Sequence, residues 1–428
     1  MKVKRQFFLF TAVLLMLSVL PVFSTGQQGA DDVDAKNLVY WSMWNETETQ
    51  AMVLKDAIKE FENENPGVKV DIQWNGREIR KTLQPALDAG TQIDMWDEGV
   101  ELLTRSWQDY AVNLDPYFEK SYPSTNGKAF KETIIGSLQD LASDLSTDGS
   151  IYAVPYQPFV VVSFYNRDHF DKAGITKTPE TWAEFLETCD KLQAAGFTPV
   201  TIDDAYMDLP LGMHLNRVYG DSNKVVELVK DRSGKLWDDP KVLQAAKDFE
   251  ALAPYMSPQT EGNKWPAGQQ EVATDQVSIY ITNGTWLPNE VMGTTGPDFR
   301  WGQFPYPAAT NSASVTGGIY GAQGFSINNK CAYPDEAFAL IAHLTTGKWD
   351  KELSAKTYGA PMDTSMPWPV QIEECESVFA SLDTYIPWSG GLAEDSDAFP
   401  IIVAEFTSLI SGKITAEQFI GNVKAKLK

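Results

Sequence analysis

Phe61-Glu62-Asn63-Glu64-Asn65-Pro66-Gly67-Val68-Lys69-Val70-Asp71-Ile72 holds the end of one regular element and the start of the next. Upstream, Met52, Leu54, Ala57, Ile58 and Phe61 recur at helical spacing and predict a helix over Glu48–Asn63. Asn65-Pro66-Gly67 stops it, since proline cannot continue a helix and glycine accepts turn conformations. Val68 to Ile72 then alternates as a strand. Working outward, Leu38 to Trp41 reads as a strand before that helix, Arg77 to Ala89 as a second helix and Ile93 to Trp96 as a third strand. Strand, helix, strand, helix, strand is the grammar of a parallel sheet wrapped by helices, so the fold class is α/β.

Ligands of such sheets sit beyond the carboxyl ends of the strands. Two loops lie there: Ser42 to Glu46, with Trp44 and Asn45, and Asp97-Glu98-Gly99, where adjacent carboxylates follow a buried strand. Asp97 has two readings, a cap for the next helix or a ligand contact. A third place is Val277 to Trp286 (V-S-I-Y-I-T-N-G-T-W), a β-rich run that breaks at Asn283-Gly284 and presents an indole. Trp286 is either a core residue behind a hairpin or a platform for a sugar, whose apolar C–H face stacks on an aromatic ring while its polar rim takes hydrogen bonds.

Ile151 to Asn166 is apolar and β-branched but carries Pro155 and Pro158, so it reads as a crossover between lobes rather than a central strand. Thr178-Pro179-Glu180-Thr181-Trp182 opens a helix to about Ala195, with Pro179 suited to its first turn, and Asp239-Pro240 opens another to about Leu252.

The start of the chain reads as a secretory signal over residues 1–24: Lys2, Lys4 and Arg5, then an apolar run from Phe7 to Leu20 that is too short to anchor in a membrane. No Cys stands at the cleavage point, which argues for a soluble exported protein. Removing the segment takes the net charge from −23 to −26, a surface that repels nucleic acid and anionic lipid and favours a monomer. About 400 residues remain, more than one hydrophobic core holds comfortably, so two lobes are expected. The 13 tryptophans exceed what packing usually asks. Cys189, Cys331 and Cys375 and the histidines His169, His214 and His343 match no zinc spacing, so no metal and no cofactor are expected.

An ordered series of segments resembles the extracellular solute-binding proteins of ABC importers, the large carbohydrate-binding family that includes the maltose-binding proteins. The segments are Phe61 to Val70; Ile93-Asp94-Met95-Trp96; Ala153-Val154-Pro155-Tyr156; Phe164-Tyr165-Asn166 with Phe170 to Ile175; Pro179-Glu180-Thr181-Trp182; Asn283-Gly284-Thr285-Trp286; and Gly317-Gly318 leading to Gly324-Phe325-Ser326-Ile327 and Pro334-Asp335-Glu336-Ala337. The resemblance implies a two-lobe periplasmic binding protein fold of type II, crossed three times at the hinge, with a central ligand cleft. It places the crossings near Gln157–Val160, Gln303–Pro307 and Leu344–Trp349. The N-terminal lobe is then 36–156 and 307–345, and the C-terminal lobe is 160–302 and 349–428. On that map any disulfide pairs Cys189 with Cys375, because a bridge across the cleft opposes closure.

Carried over by position, the resemblance assigns Trp44, Asn45, Asp97, Glu98, Tyr156 and Trp286 to the ligand site, with Gly317-Gly318 bringing backbone close and Tyr320 able to stack. Arg77 and Trp388 are added from a helix start and a Pro-Trp-Ser-Gly-Gly loop; Trp265, Trp301 and Trp368 are left to packing or the rim. The family's usual proline before Asp94 is Ile93 here, which leaves the register of Asp97 and Glu98 open. The implied function is capture of a mono- or oligosaccharide in the periplasm and delivery to an ABC permease, with no catalytic residue. The alternatives are a same-fold receptor for a polyamine or other small polar solute, and, more remotely, a secreted glycosidase using Asp97 and Glu98.

Overall fold

A computed structural model of the chain describes residues 35–309 and 316–427; the expected signal segment lies outside them. The strands are β1 Lys36–Ser42, β2 Val68–Trp74, β3 Met95–Gly99, β4 Val154–Asn166, β5 Thr198–Thr201, β6 Val277–Gly284, β7 Trp301–Phe304, β8 Gly317–Gly318, β9 Tyr320–Ile327 and β10 Thr384–Tyr385. Eight of them form one sheet in the order β2-β1-β3-β9-β4-β6-β5, with β7 also on β4, while β8 and β10 pair separately. β1 runs parallel to β2 and β3, as the alternation of strands and helices predicts. No helix among the described residues is long and apolar enough to cross a membrane.

Local signals account for the elements around this sheet. Helix Thr49–Glu64 buries Ala51, Val53, Leu54, Ala57, Ile58 and Phe61 against the sheet. Met52, expected on that stripe, faces solvent at 51% exposure because it lies out of phase with the other six. Helix Trp182–Ala194 begins one residue after Thr181, whose hydroxyl and Glu184 form a reciprocal capping box. Pro179 therefore lies before the cap rather than in the first turn. Asp239 caps helix Pro240–Leu252 by accepting from Lys241 N at 2.8 Å.

β4 joins two hydrophobic cores. Its first half, Val154 to Val160, pairs with β9. Its second half, Val161 to Asn166, pairs with β6 and β7. Pro155 and Pro158 sit in the first half, which has a strand partner on one side only, so their missing N–H groups break no ladder. Within the first half, between Tyr156 and Pro158, the register shifts at Gln157, which adopts φ +48°. One core contains Leu38, Trp96, Tyr156 and Phe325; the other contains Phe164, Phe185, Phe249 and Phe304. Tyr156 packs in the first core and Val160 in the second, so the chain passes from one to the other across residues 157–159.

The other two crossings sit later in the chain than expected. Tyr306 and Ile319 pack in the second core, and only at Ala322 does the chain join the first. Trp349, Leu353 and Met362 belong to the first core, whereas Trp368 and Ile372 belong to the second. The cause is Asp350, which accepts from Met362 N at 3.0 Å and Asp363 N at 2.8 Å and folds that segment back on helix Gly347–Thr357. All three cysteines are free; Cys189 and Cys375 are buried within the second core and form no bridge.

One contact in the second core has no room for a side chain. Helix Asp208–Tyr219 meets the turn at 388–394 backbone to backbone: a Cβ on Gly212 would lie 2.0 Å from Ser389 O, and one on Gly390, at φ +65°, would lie 2.4 Å from Gly212 C. Asn216 Nδ2 closes the contact by donating to Gly390 O at 2.8 Å. Gly212→Ala is expected to cost about 1–3 kcal/mol by overpacking, measured as a fall in the urea midpoint, and to loosen the neighbouring Trp388.

Candidate functional site

The carboxyl ends of β1 and β2 make one wall of the candidate site. Asn75 N donates to Ser42 O at 3.0 Å and Gly76 N to Trp44 O at 3.2 Å, which staples the two loops together. Gly76 adopts φ +58°, and a Cβ there would strike Asn45 Oδ1 at 2.4 Å, so the staple needs glycine. Arg77 follows and lays its guanidinium over the Trp44 indole, 4.8 Å from the ring centre, while donating to Glu48 Oε1 at 3.0 Å. Asn45 is exposed and its side-chain amide donates to Glu48 at 3.0 Å.

A buried relay fixes this wall from behind. Trp44 Nε1 donates to Tyr156 Oη at 2.7 Å, and Tyr156 Oη donates to Asp97 Oδ2 at 2.8 Å. Met43 N donates to Asp97 Oδ1 at 2.9 Å. Asp97 and Tyr156 are both fully buried, and Tyr156 stacks on Phe325 at 4.5 Å. Burial pushes the Asp97 carboxyl up to about 7, against the opposing pull of Met43 N–H and the Tyr156 hydroxyl.

Three expected contacts are therefore corrected. Asp97 and Glu98 are not on a loop, because β3 runs through them in antiparallel register with Phe325 and Gly324. Neighbours on a strand point to opposite faces. Asp97 turns to Tyr156, and Glu98, 2% exposed, takes a two-pronged bond from Arg80 with both distances 2.9 Å. Tyr156, like Asp97, supports Trp44 instead of facing an opening.

The opposite wall is aromatic. β6 ends at Gly284, over which the Trp286 indole lies so closely that a Cβ would be 2.3 Å from the ring. Gly284 is there for this approach, not for a tight turn. Trp286 Nε1 donates to Tyr206 Oη at 3.0 Å. Around Trp286 stand Phe159 at 5.2 Å and 67°, and Trp388 at 6.2 Å and 32°. Trp388 remains 36% exposed, and Gly321 leaves room for the Phe159 ring, which would be 3.0 Å from a Cβ there. Burial raises the Tyr206 phenol and the Glu290 carboxyl, and the positive charge of Arg77 works against both shifts.

Of the sequence-expected residues, Trp286 and Trp388 come together, with Trp44 and Arg77 on the other wall. Gly318 and Tyr320 do not join them. Tyr320 packs between Phe379 at 5.6 Å and Tyr385 at 5.5 Å, on the face of β9 opposite to Gly321, and Gly318 lies against Leu382. Trp301 stays in packing against Phe164 and Phe299, and Trp368 against Phe379. Phe159 and Tyr206 were missed. The signal for Tyr206 was its position just after β5, in the same post-strand loop position that singled out Trp44.

The family model of bacterial extracellular solute-binding proteins matches residues 44–351. The multiple sugar-binding protein of Streptococcus mutans is 23% identical over 316 residues, covering 71% of this chain and 70% of that protein. Among solved structures, apo RafE of Streptococcus pneumoniae aligns with TM-score 0.73 at 19% identity, covering 94% of this chain and 98% of that one. A chitin oligosaccharide binding protein aligns with TM-score 0.70 at 20% identity, covering 92% and 98%.

The pKa of Asp97 yields a test. A carboxyl raised in the folded state binds a proton that the unfolded chain has released, so stability due to this group is full below pH 4 and declines as pH rises through about 7. Asp97→Asn is expected to remove part of the decline in melting temperature between pH 4 and 7 while keeping the Met43 bond. An unaltered pH profile in the variant would show that Asp97 is not the titrating group.

Proposed function

This chain belongs to the family of bacterial extracellular solute-binding proteins, and from that premise we propose that it is an exported carbohydrate receptor of an ABC importer. The observation that carries the sugar reading is the wall of Trp286, Trp388 and Phe159, with Tyr206 held by the Trp286 indole and Arg77 opposite. Ring faces match the apolar side of a pyranose, while guanidinium, phenol and exposed amide groups suit its hydroxyls. The names of the multiple sugar-binding and chitin oligosaccharide binding relatives point the same way.

The mechanism follows from where the walls are mounted. Trp44 and Arg77 ride on the first core, and Trp286 and Trp388 on the second, the two being joined through β4 at Gln157. A sugar touching both walls favours the conformation in which they approach, so closure is a population shift driven by ligand contacts. Arg105 to Glu394, at 3.2 Å between half-exposed groups, adds a cross-core ion pair that opening would break at little cost. The closed complex is then the form that a permease recognises in the periplasm.

Two rivals are weighed against the same geometry. Glycoside cleavage requires paired carboxyl groups about 5–9.5 Å apart across one bond, whereas Asp97 and Glu98 diverge to opposite faces of β3 and each is hydrogen-bonded within the protein. A polyamine receptor is favoured by Glu290 and Asp204 beside aromatics, but Lys264 already neutralises Asp204 at 2.8 Å and Glu290 Oε2 already accepts from Trp265 Nε1 at 3.3 Å and Gln269 Nε2 at 2.6 Å.

Intrinsic Trp fluorescence titrated with mono- and oligosaccharides tests the reading, with spermidine and amino acids as controls. A saturable response to one saccharide series is expected, with no product on prolonged incubation, and Trp286→Ala weakening affinity at least tenfold, about 1.4 kcal/mol. A response to spermidine alone would contradict it.

A further inference from the structure

One large aromatic near this wall has no packing role. Trp265 is 49% exposed, yet it is held in place: its backbone N donates to Asp204 Oδ1 at 3.0 Å and its indole Nε1 to Glu290 Oε2 at 3.3 Å. A solvent-facing indole with its N–H tied down presents an immobile apolar face, which does nothing for stability and suits a ligand. Glu290 closes the short helix Leu287–Glu290 that Trp286 caps, and its N–H donates to Trp286 O at 3.1 Å. Glu290 thus links the two indoles, through its backbone N–H to Trp286 O and through its carboxylate to the Trp265 indole N–H.

The carboxylate between them is arranged for an acceptor role. Trp265 Nε1 and Gln269 Nε2, the latter at 2.6 Å, both reach Oε2 of Glu290, which leaves Oε1 free of any bond among the described residues. Gln269 is fully buried, its N is fixed by Asp203 Oδ2 at 3.2 Å, and its own amide oxygen has no partner there. An unpaired buried amide oxygen costs free energy unless something donates to it.

We propose that Trp265 and Glu290 form a second sugar subsite beside Trp286, so that the protein takes an oligosaccharide rather than a single ring. This rests on the carbohydrate reading above. One ring stacks in the Trp286 wall, and the next lies on Trp265 with a hydroxyl donating to Glu290 Oε1. The sequence left Trp265 to packing or the rim because an isolated Asn-Lys-Trp-Pro segment carries no strand or helix pattern to place it.

The test is calorimetric titration of the full exported protein with three ladders: glucose, maltose and maltotriose; galactose, melibiose and raffinose; and N-acetylglucosamine, chitobiose and chitotriose. In the ladder that binds, the second ring is expected to raise affinity tenfold or more. Trp265→Ala and Glu290→Gln, each with a wild-type circular dichroism spectrum, are expected to abolish that gain, and Trp265→Phe to recover part of it. If Trp286→Ala weakens binding while both subsite variants keep the full ladder, the second subsite is wrong and the sugar receptor stands. If the folded wild type binds no member of any ladder, both fall.

Discussion

Strand β4 is the element on which the rest depends, because its two halves belong to two different cores. Val154 and Tyr156 pack in the first, beside β9, and Val160, Val162 and Phe164 in the second, where the strand pairs with β6 and β7. A continuous strand would make one rigid sheet. The register shift at Gln157, in a left-handed conformation, interrupts it, and Pro155 and Pro158 remove donors on either side. Gln157 Nε2 reaches Thr357 Oγ1 at 3.1 Å, so a second crossing segment is tied to the same point. Walls built on either side of this joint can move relative to each other without either core being opened.

Each wall is stiff for a different reason. Trp44 is held from behind by Tyr156 and Asp97, a chain of hydrogen bonds wholly inside the first core. Trp286 and Trp388 are held by glycines that admit close approach, Gly284 under one ring and Gly212 under the turn bearing the other. Rigid aromatic faces lose little entropy on stacking, which is what reversible binding of a weakly amphipathic ligand demands. Arg77 supplies polarity at the edge, its charge shared with Glu48.

Much of the fold was legible because it is written in local pattern. The helix stop at Asn65-Pro66-Gly67 and the helix opening at Asp239-Pro240 stand where the sequence put them, and β6 ends at Gly284, in the Asn283-Gly284 break. The path after helix Gly347–Thr357 was not legible, since it depends on Asp350 reaching the amides of Met362 and Asp363, a contact without periodic signal. For the site, residue type singled out Trp286 and Trp388, whose rings the fold sets 6.2 Å apart, and Trp44. It misjudged Asp97, Glu98 and Tyr156, because a carboxylate next to a predicted loop looks identical whether it points to solvent or to a buried tyrosine. Phe159 and Tyr206 emerge only when β6, lying between β4 and β5 in the sheet, brings both rings to Trp286.

The central claim is that the ligand is a sugar gripped between a wall on each core. The most direct measurement is the crystal structure of the exported protein with the saccharide that titration identifies. A pyranose ring lying on Trp286 or Trp388, with its hydroxyls within hydrogen-bonding distance of Arg77 or Tyr206, is the predicted result. A ligand seated instead against Tyr320 and Gly318, or touching residues of one core alone, would contradict the account.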